Sequence, residues 1–230
     1  METVIAVAGI KLVLGGKEII NNLDLVVYKG ELVFLAGRNG SGKSSLLNTI
    51  VGRYGVSAGT ISVSGQIAYQ EQKPIYLADM TVIENLACFR NLFRSSISNP
   101  KLDTLLARVG LSTARNTNTS RLSGGEKQRL SLAITLLRDR CLYLFDEADS
   151  AMDPIGRGDY FNLLMQLKGE GRTVLWISHH IKESLSVADR CYFLAQGRAF
   201  GFTGQQLGEV ASNYSEDAFA LLCEERLVKY

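Results

Sequence analysis

Eight residues constrain this chain more than any others. Gly37-Arg38-Asn39-Gly40-Ser41-Gly42-Lys43-Ser44 carries the spacing Gly-x4-Gly-Lys-Ser, after the unbroken apolar run Leu32–Ala36 and before a helical pattern over Ser44–Val51. A strand that ends in a glycine loop and resumes as a helix is a cradle for phosphate. The glycines let successive N–H groups turn inward with no side chain in the way. The helix N-terminus adds partial positive charge, and Lys43 adds a full one for the β- and γ-phosphates. The Ser44 hydroxyl is a hard oxygen of the kind Mg²⁺ prefers. A bare glycine turn would explain the glycines, but not the lysine and both flanks. Residues 37–44, with Ser45, are therefore the candidate nucleotide-binding residues.

Two later runs repeat the pattern of the first. Cys141–Phe145 ends in Asp146-Glu147, and Thr173–Ile177 ends in Ser178-His179-His180. Apolar runs without alternation indicate strands buried on both faces, as in a parallel sheet. Ligands of open α/β sheets bind beyond the carboxyl ends of the strands. Lys43, Asp146, Glu147 and His179 are thereby expected at one edge. Asp146 suits a Mg²⁺ contact through water, and Glu147 can orient or deprotonate an attacking water. Adjacent carboxylates repel unless a metal or separate environments keep both ionised. Without the phosphate loop upstream, Asp-Glu would read equally well as a plain helix start.

The rest of the chain is read more coarsely. Val4–Val7, Leu12–Leu14 and Leu23–Val27 are short strand candidates, separated by the turn signals Gly15-Gly16 and Lys29-Gly30. Thr81–Phe93 and Leu102–Val109 have helical spacing, joined by a polar Ser95–Pro100 connection. Residues from about 73 to 121 form a helical insertion in a single domain, 1–230. Its core is about 1–72 and 122–230. With 46% apolar residues a buried core is within reach, and a net charge of +2 without a basic stripe gives no sign of a nucleic-acid partner. Cys88, Cys141, Cys191 and Cys223 form no CxxC pair and lie beside apolar residues, so buried, reduced thiols and a cytosolic protein are expected. No apolar run approaches the ~20 residues that span a bilayer. The N-terminus lacks the basic start of a signal peptide, so any work at a membrane is expected to go through a partner.

Leu122-Ser123-Gly124-Gly125-Glu126-Lys127-Gln128-Arg129 opens a predicted helix, Glu126–Leu137. Ser123 with Glu126 three residues on makes a capping box. The two glycines add room for something to approach the backbone at a helix N-terminus, which is an anion site. One chain already has a phosphate loop. A second anion site suggests that two copies face each other across a shared nucleotide.

Gly37–Ser44, Leu122–Arg129, Leu142–Glu147, Ser150-Ala151-Met152-Asp153 and Ser178-His179 occur in the order and spacing of ABC-transporter nucleotide-binding subunits, which the chain resembles over nearly its whole length. The resemblance implies an α/β fold with a P-loop NTPase core, a mainly parallel sheet, an N-terminal antiparallel β subdomain and a helical insertion subdomain. It implies ATP and Mg²⁺, and a head-to-tail dimer with two ATP molecules between subunits. The second ATPase subunit is an identical or related chain. In each site Lys43, Ser44, Asp146, Glu147 and His179 come from one chain, and Ser123, Gly124, Gly125 and Glu126 from the other. Asp153 is implied as the loop aspartate linking the two sites. His179, which follows the strand and a serine directly, matches the γ-phosphate histidine; His180 does not. The coupling glutamine, also a Mg²⁺ contact, matches Gln72, with Gln70 as the alternative. ATP hydrolysis would power transport through a separate transmembrane permease, with this chain peripheral on the cytoplasmic face of a membrane.

The chain departs from the family pattern in places. The aromatic residue that stacks on adenine is replaced by Leu14, or Val13 if the match slips; Tyr28 or Tyr54 is the other option. Ala148 stands where proline is usual, and Ala133-Ile134 where Ala-Arg is usual. Met80–Phe93 and Gly197–Leu207 resemble exporter-type subunits that partner separate membrane proteins. Tyr76, Leu77, Leu86, Phe89 and Phe93 are read either as a groove for a cytoplasmic helix of that partner or as plain packing. Two rival functions stay open: a soluble ATPase of this type in cofactor assembly or repair, and a nucleotide-binding regulator that does not hydrolyse.

Overall fold

A computed structural model describes residues 1–204 and 206–208. Strands β1 (Thr3–Leu14), β2 (Lys17–Tyr28) and β3 (Leu32–Ala36) lead to α1 (Lys43–Ile50), β4 (Ala58–Val63) and β5 (Ile67–Gln70). Helices α2 (Val82–Leu92), α3 (Asn99–Arg108) and α4 (Gly124–Leu136) follow, then β6 (Leu142–Asp146), α5 (Pro154–Gly169), β7 (Thr173–Ile177), α6 (Ile181–Val187), β8 (Arg190–Ala195) and β9 (Arg198–Thr203). A three-stranded antiparallel sheet runs β2-β1-β4. A six-stranded sheet runs β5-β6-β7-β3-β8-β9, parallel throughout except at β9. This is the α/β fold with an antiparallel N-terminal sheet that the motifs imply.

All residues of β3, β6 and β7 are buried, because each strand serves two cores. Leu32, Phe34, Tyr143, Phe145, Val174 and Trp176 face the helical layer of α2–α6. Val33, Leu35, Leu142, Leu144, Leu175 and Ile177 face α1 and the antiparallel sheet. Side chains alternate across a strand, so a strand with apolar layers on both sides has no position left for a polar residue. The polar residues arrive only where the strands run out, and that puts the chemistry at one sheet edge.

Some elements differ from the sequence expectation. Val4–Val7 and Leu12–Leu14 belong to one twelve-residue strand. Between them the register with β2 shifts, Gly9 takes φ 56°, and its N–H donates to Asp24 Oδ1 at 2.8 Å. A left-handed glycine makes a bulge that hides the continuity of the strand. Helix α4 starts at Gly124, two residues earlier than its apolar pattern suggests, because the cap at Ser123 sets the boundary. Cys88 and Cys141 are exposed, against the expectation of burial, and among the described cysteines only Cys191 is buried. Cys88 lies off the stripe Val82, Asn85, Leu86, Phe89 that α2 buries, and Cys141 precedes β6 beside Arg172. Cys223 and Gln205 lie outside the described residues. Leu86 and Phe89 are buried in the helical core at 0% and 7% exposure, so neither lines an open groove. Phe93 and Tyr76 sit under Arg138 and Lys127. No described helix is long and apolar enough to cross a membrane.

Candidate nucleotide site

The loop after β3 is shaped by its glycines. Gly37 has φ 146°, and a Cβ there would meet Leu194 O at 2.4 Å, so only glycine fits. Gly40 and Gly42 also have positive φ, 78° and 102°. Lys43 opens α1 and folds back along the loop. Its Nζ donates to Gly37 O at 2.8 Å and Arg38 O at 3.1 Å. Two of its three protons are thus used on the loop itself. Burial pushes the Lys43 pKa down, and the charges of Glu147 and Asp146 act the other way.

Two acidic residues stand opposite. Ser44 Oγ donates to Asp146 Oδ1 at 3.0 Å, and Tyr69 OH donates to Oδ2 at 3.3 Å. Burial raises the Asp146 pKa, while the Ser44 hydrogen bond lowers it. Tyr69, at the end of β5, is pushed well above the usual phenol range by burial and by Asp146. Glu147 is 8% exposed and has φ 51°, a left-handed conformation that costs a non-glycine residue about 1 kcal/mol. Its N–H donates to Ile177 O at 3.0 Å, which ties the end of β6 to the end of β7. The turn sends Glu147 Oε2 to Gln72 Nε2 at 2.7 Å, and Oε1 to His179 Nε2 at 2.9 Å. The neighbouring carboxylates therefore have separate environments: Asp146 is held by hydroxyls, and Glu147 by an amide and an imidazole.

Asn39, Gly40, Gly42, Lys43, Ser44, Ser45, Gln72, Glu147 and His179 line one cleft of about 360 Å³, together with Ile19. The remaining loop residues lie beside it: Gly37 and Arg38 hold Lys43, and Ser41 lines an adjoining depression with Lys17 and Gln196. The donor set fits Mg²⁺. Ser44 Oγ and Asp146 Oδ1 are hard oxygens 3.0 Å apart, with the Gln72 amide across the cleft. Two protein oxygens at this edge suit a cation that keeps water and substrate oxygens in its shell.

Other candidates lie elsewhere. Ser123, Gly124, Gly125 and Glu126 do not line the cleft of their own chain. Ser123 Oγ accepts from Glu126 N–H at 3.2 Å, and Glu126 Oε2 accepts from Ser123 N–H at 2.8 Å. Gly124 is exposed and open, whereas a Cβ at Gly125 would lie 2.9 Å from Ala151 O. Only one of the two glycines therefore leaves room for a visitor. Asp153 caps α5 by accepting from Gly156 N–H at 2.8 Å. Leu14 is half-buried at the hairpin end of β1 and does not line the cleft. Tyr28 precedes β3 at the opposite end of that strand from the loop, with Arg190 over its ring, and Tyr54 follows the far end of α1. Neither is in place to cover a base at this cleft. Gln70 is buried, its amide makes no hydrogen bond and it does not line the cleft, whereas Gln72 lines the cleft and bonds to Glu147.

Three residues at the site escaped the sequence reading. Ile19 lies 3.0 Å from where a Gly42 Cβ would be, and its signal was only one apolar position in a partly alternating strand. Tyr69 could have been read from its place at the end of β5. Gln128 stands inside the Leu122–Arg129 segment, where the motif gives it no role; its Nε2 reaches Gln72 O at 3.4 Å.

The family model "ABC transporter" matches residues 20–150. The thiamine import ATP-binding protein ThiQ of Photobacterium profundum is 34% identical over 204 residues, covering 82% of this chain and 85% of ThiQ. The Nod factor export ATP-binding protein I of Rhizobium johnstonii is 32% identical over 227 residues, covering 89% of this chain and 72% of that protein. Among solved structures, the dimeric post-hydrolysis state of an ATP-binding cassette bound to ADP and phosphate superposes with a TM-score of 0.76 at 22% identity, over 86% of this chain and 98% of that one.

Proposed function

Since the chain belongs to the ABC transporter family of ATP-binding, ATP-hydrolysing subunits, we propose that the cleft beneath Gly37–Ser44 is its hydrolytic site and that two chains close head to tail over two ATP molecules. One observation carries the reading: Glu147 is held between Gln72 and His179, at 2.7 and 2.9 Å, beside the Ser44–Asp146 pair and under the glycine loop. In this reading the N–H groups of residues 39–45 and the Lys43 ammonium bind the β- and γ-phosphates. Ser44, Gln72 and Asp146 would hold Mg²⁺, which when bound would supply charge neutralisation at those phosphates. Glu147 orients the attacking water and accepts its proton. His179 and Gln72 fix the carboxylate and face the γ-phosphate.

Ser123, Gly124, Gly125 and Glu126 lie away from the cleft of their own chain, with Gly124 open, and this supports their service to a second copy. Asp153 stands at the junction between the two sites in that dimer. Leu14, outside the phosphate cleft at the hairpin end of β1, is assigned an aliphatic contact with the base on the family resemblance alone. Residues about 73–121 act as a helical subdomain facing a separate transmembrane permease, and the chain works peripherally on the cytoplasmic face of the membrane. Export is the direction proposed, on the resemblance of Met80–Phe93 to exporter-type subunits. Relatives named for import and for export are both similar to the chain, so their names do not carry it.

The test is Glu147→Gln. With ATP and Mg²⁺ this variant is expected to accumulate as a dimer on size-exclusion chromatography while phosphate release falls by roughly 10²–10⁴-fold. A variant that stays monomeric and still hydrolyses would sink the role given to Glu147 and the dimer together. Direction is read by ATP-driven substrate movement in inside-out vesicles holding the chain with its permease.

A further inference from the structure

A third carboxylate lies within three positions of the first two and is not among the residues that line the cleft. Asp149 is 1% exposed, in the loop after β6. Its Oδ2 accepts the Ser178 hydroxyl at 2.6 Å, and Ser178 Oγ accepts the His180 N–H at 2.9 Å. These two bonds fix the backbone on both sides of His179. The His179 side chain is 46% exposed, and its hydrogen-bonding contact at the site is Glu147 at 2.9 Å. A half-exposed imidazole with so little packing around it takes its position from the backbone that carries it.

The arrangement is costly for the fold. Asp149 Oδ1 and the hydroxyl of Tyr160 are both buried without a hydrogen-bond partner, and the two residues are near enough to interact electrostatically. Burial raises the Asp149 pKa, and the Ser178 hydrogen bond opposes that rise. Bare buried polar atoms destabilise, so stability alone does not account for a carboxyl at this position. What Asp149 does supply is a strong acceptor that orients the Ser178 hydroxyl and leaves its lone pairs to the His180 N–H. Together with the Glu147 N–H to Ile177 O bond, it joins the end of β6 to the end of β7 at a second point.

We propose that Asp149 is a positioning residue for hydrolysis: through Ser178 it sets the backbone at 178–180 and so holds His179 against Glu147. This rests on the roles given above to Glu147 and His179. Asp149 touches neither nucleotide nor water in this scheme and acts only through its neighbours.

The chain has two histidines, so a ¹⁵N-histidine spectrum contains one set of ring signals for each. Asp149→Ala and Ser178→Ala are expected to move the His179 ring signals toward those of a solvent-exposed imidazole, with no nucleotide present. In steady-state assays they should lower kcat by roughly 10- to 100-fold, the scale of a misplacement of about 1 Å, and leave KM for ATP within about twofold. Asp149→Asn keeps an oxygen acceptor toward Ser178 and should restore both readouts most of the way. Should Asp149→Ala fail to fold, Ser178→Ala and Asp149→Asn carry the same comparison. Ring signals and kcat unchanged from the wild type overturn the proposal. So does an Asp149→Asn variant as impaired as the alanine one, which would make the charge, rather than the hydrogen bond, the operative property. A wild-type chain without ATPase activity would instead overturn the functional reading, and the ring signals would still decide whether Asp149 positions His179.

Discussion

Gly124 and Gly125 separate two reasons for keeping a glycine, and the structure assigns one reason to each. Both residues have helical backbone at the first turn of α4. A Cβ at Gly124 would meet only Ala151 Cβ, at 3.8 Å, an ordinary contact. Alanine there gains helix propensity, about 0.5 kcal/mol at a first turn against about 1 kcal/mol in a helix interior. For a chain of this size that raises Tm by roughly 1–2 °C. A Cβ at Gly125 would lie 2.9 Å from Ala151 O and 3.6 Å from Met152 Cα, so the Ala151 backbone must move by a few tenths of an ångström. Overpacking against backbone costs about 1–3 kcal/mol, more than the propensity gain, and Gly125→Ala should lower Tm. Activity should run the other way for Gly124. If a second chain's phosphates approach it, Gly124→Ala melts slightly higher, hydrolyses ATP at least tenfold more slowly, and prevents ATP-dependent dimers in the Glu147→Gln background. Scanning calorimetry, phosphate release and size-exclusion chromatography measure the three quantities. A Gly124→Ala chain with wild-type ATPase and intact dimers would refute the idea that this face receives a nucleotide from another copy. A Gly124→Ala chain that melts well below the wild type would refute the packing argument.

Lys43→Met should weaken nucleotide binding by roughly 10- to 100-fold, the loss of charge-assisted hydrogen bonds of about 1.5–3 kcal/mol, read by fluorescent-nucleotide titration. Because burial holds the Lys43 pKa below its ordinary 10.5 and phosphate favours the protonated form, wild-type affinity should fall as pH rises through that lowered value, before pH 10.5 is reached. The Met variant should lack this limb, and a limb that persists assigns it to another group. Ser44→Ala removes the hydrogen bond that lowers the Asp146 pKa, so that pKa should rise further and the acid limb of the ATPase profile should move to higher pH. The Mg²⁺ concentration for half-maximal rate should rise about tenfold, and an unchanged Mg²⁺ requirement would remove Ser44 from the cation site. Leu14→Tyr should lower KM for ATP about 2- to 10-fold, the range of an added aromatic stacking contact of about 0.5–1.5 kcal/mol. No change in KM would place the base elsewhere.

What could be read in the sequence was what is local. The strands β3 and β7 fall on Leu32–Ala36 and Thr173–Ile177 as expected, because a strand between two cores is apolar at every position. The grouping of Lys43, Asp146, Glu147 and His179 was equally legible, since parallel strands end on one side. Burial across helices was not. Leu86 and Phe89 read equally as a groove or as plain packing until α3 and α4 are packed against α2, and Cys88 looks buried until the α2 face is known. Ile19 lines the cleft from β2, a stretch with no motif of its own, and Gln128 touches Gln72 from α4, inside a motif that gives it no role. The bulge at Gly9 broke one strand into two apparent ones, because φ cannot be read from an apolar pattern.

The Ser123 hydroxyl does one thing for α4 and leaves another undone. Its oxygen accepts from the Glu126 N–H, and that is all a cap requires of it. The hydroxyl proton is not consumed in the capping bond and is available to an outside acceptor. Asparagine or aspartate would cap the helix about as well. Aspartate, however, has no proton to give and would bring a negative charge to the same point. For the helix as a folding unit these residues are close to interchangeable, and for a neighbouring anion serine and aspartate are opposites. Helix stability therefore does not choose the serine; the side chain is one that can serve its own helix and an external phosphate with the same atom at the same time.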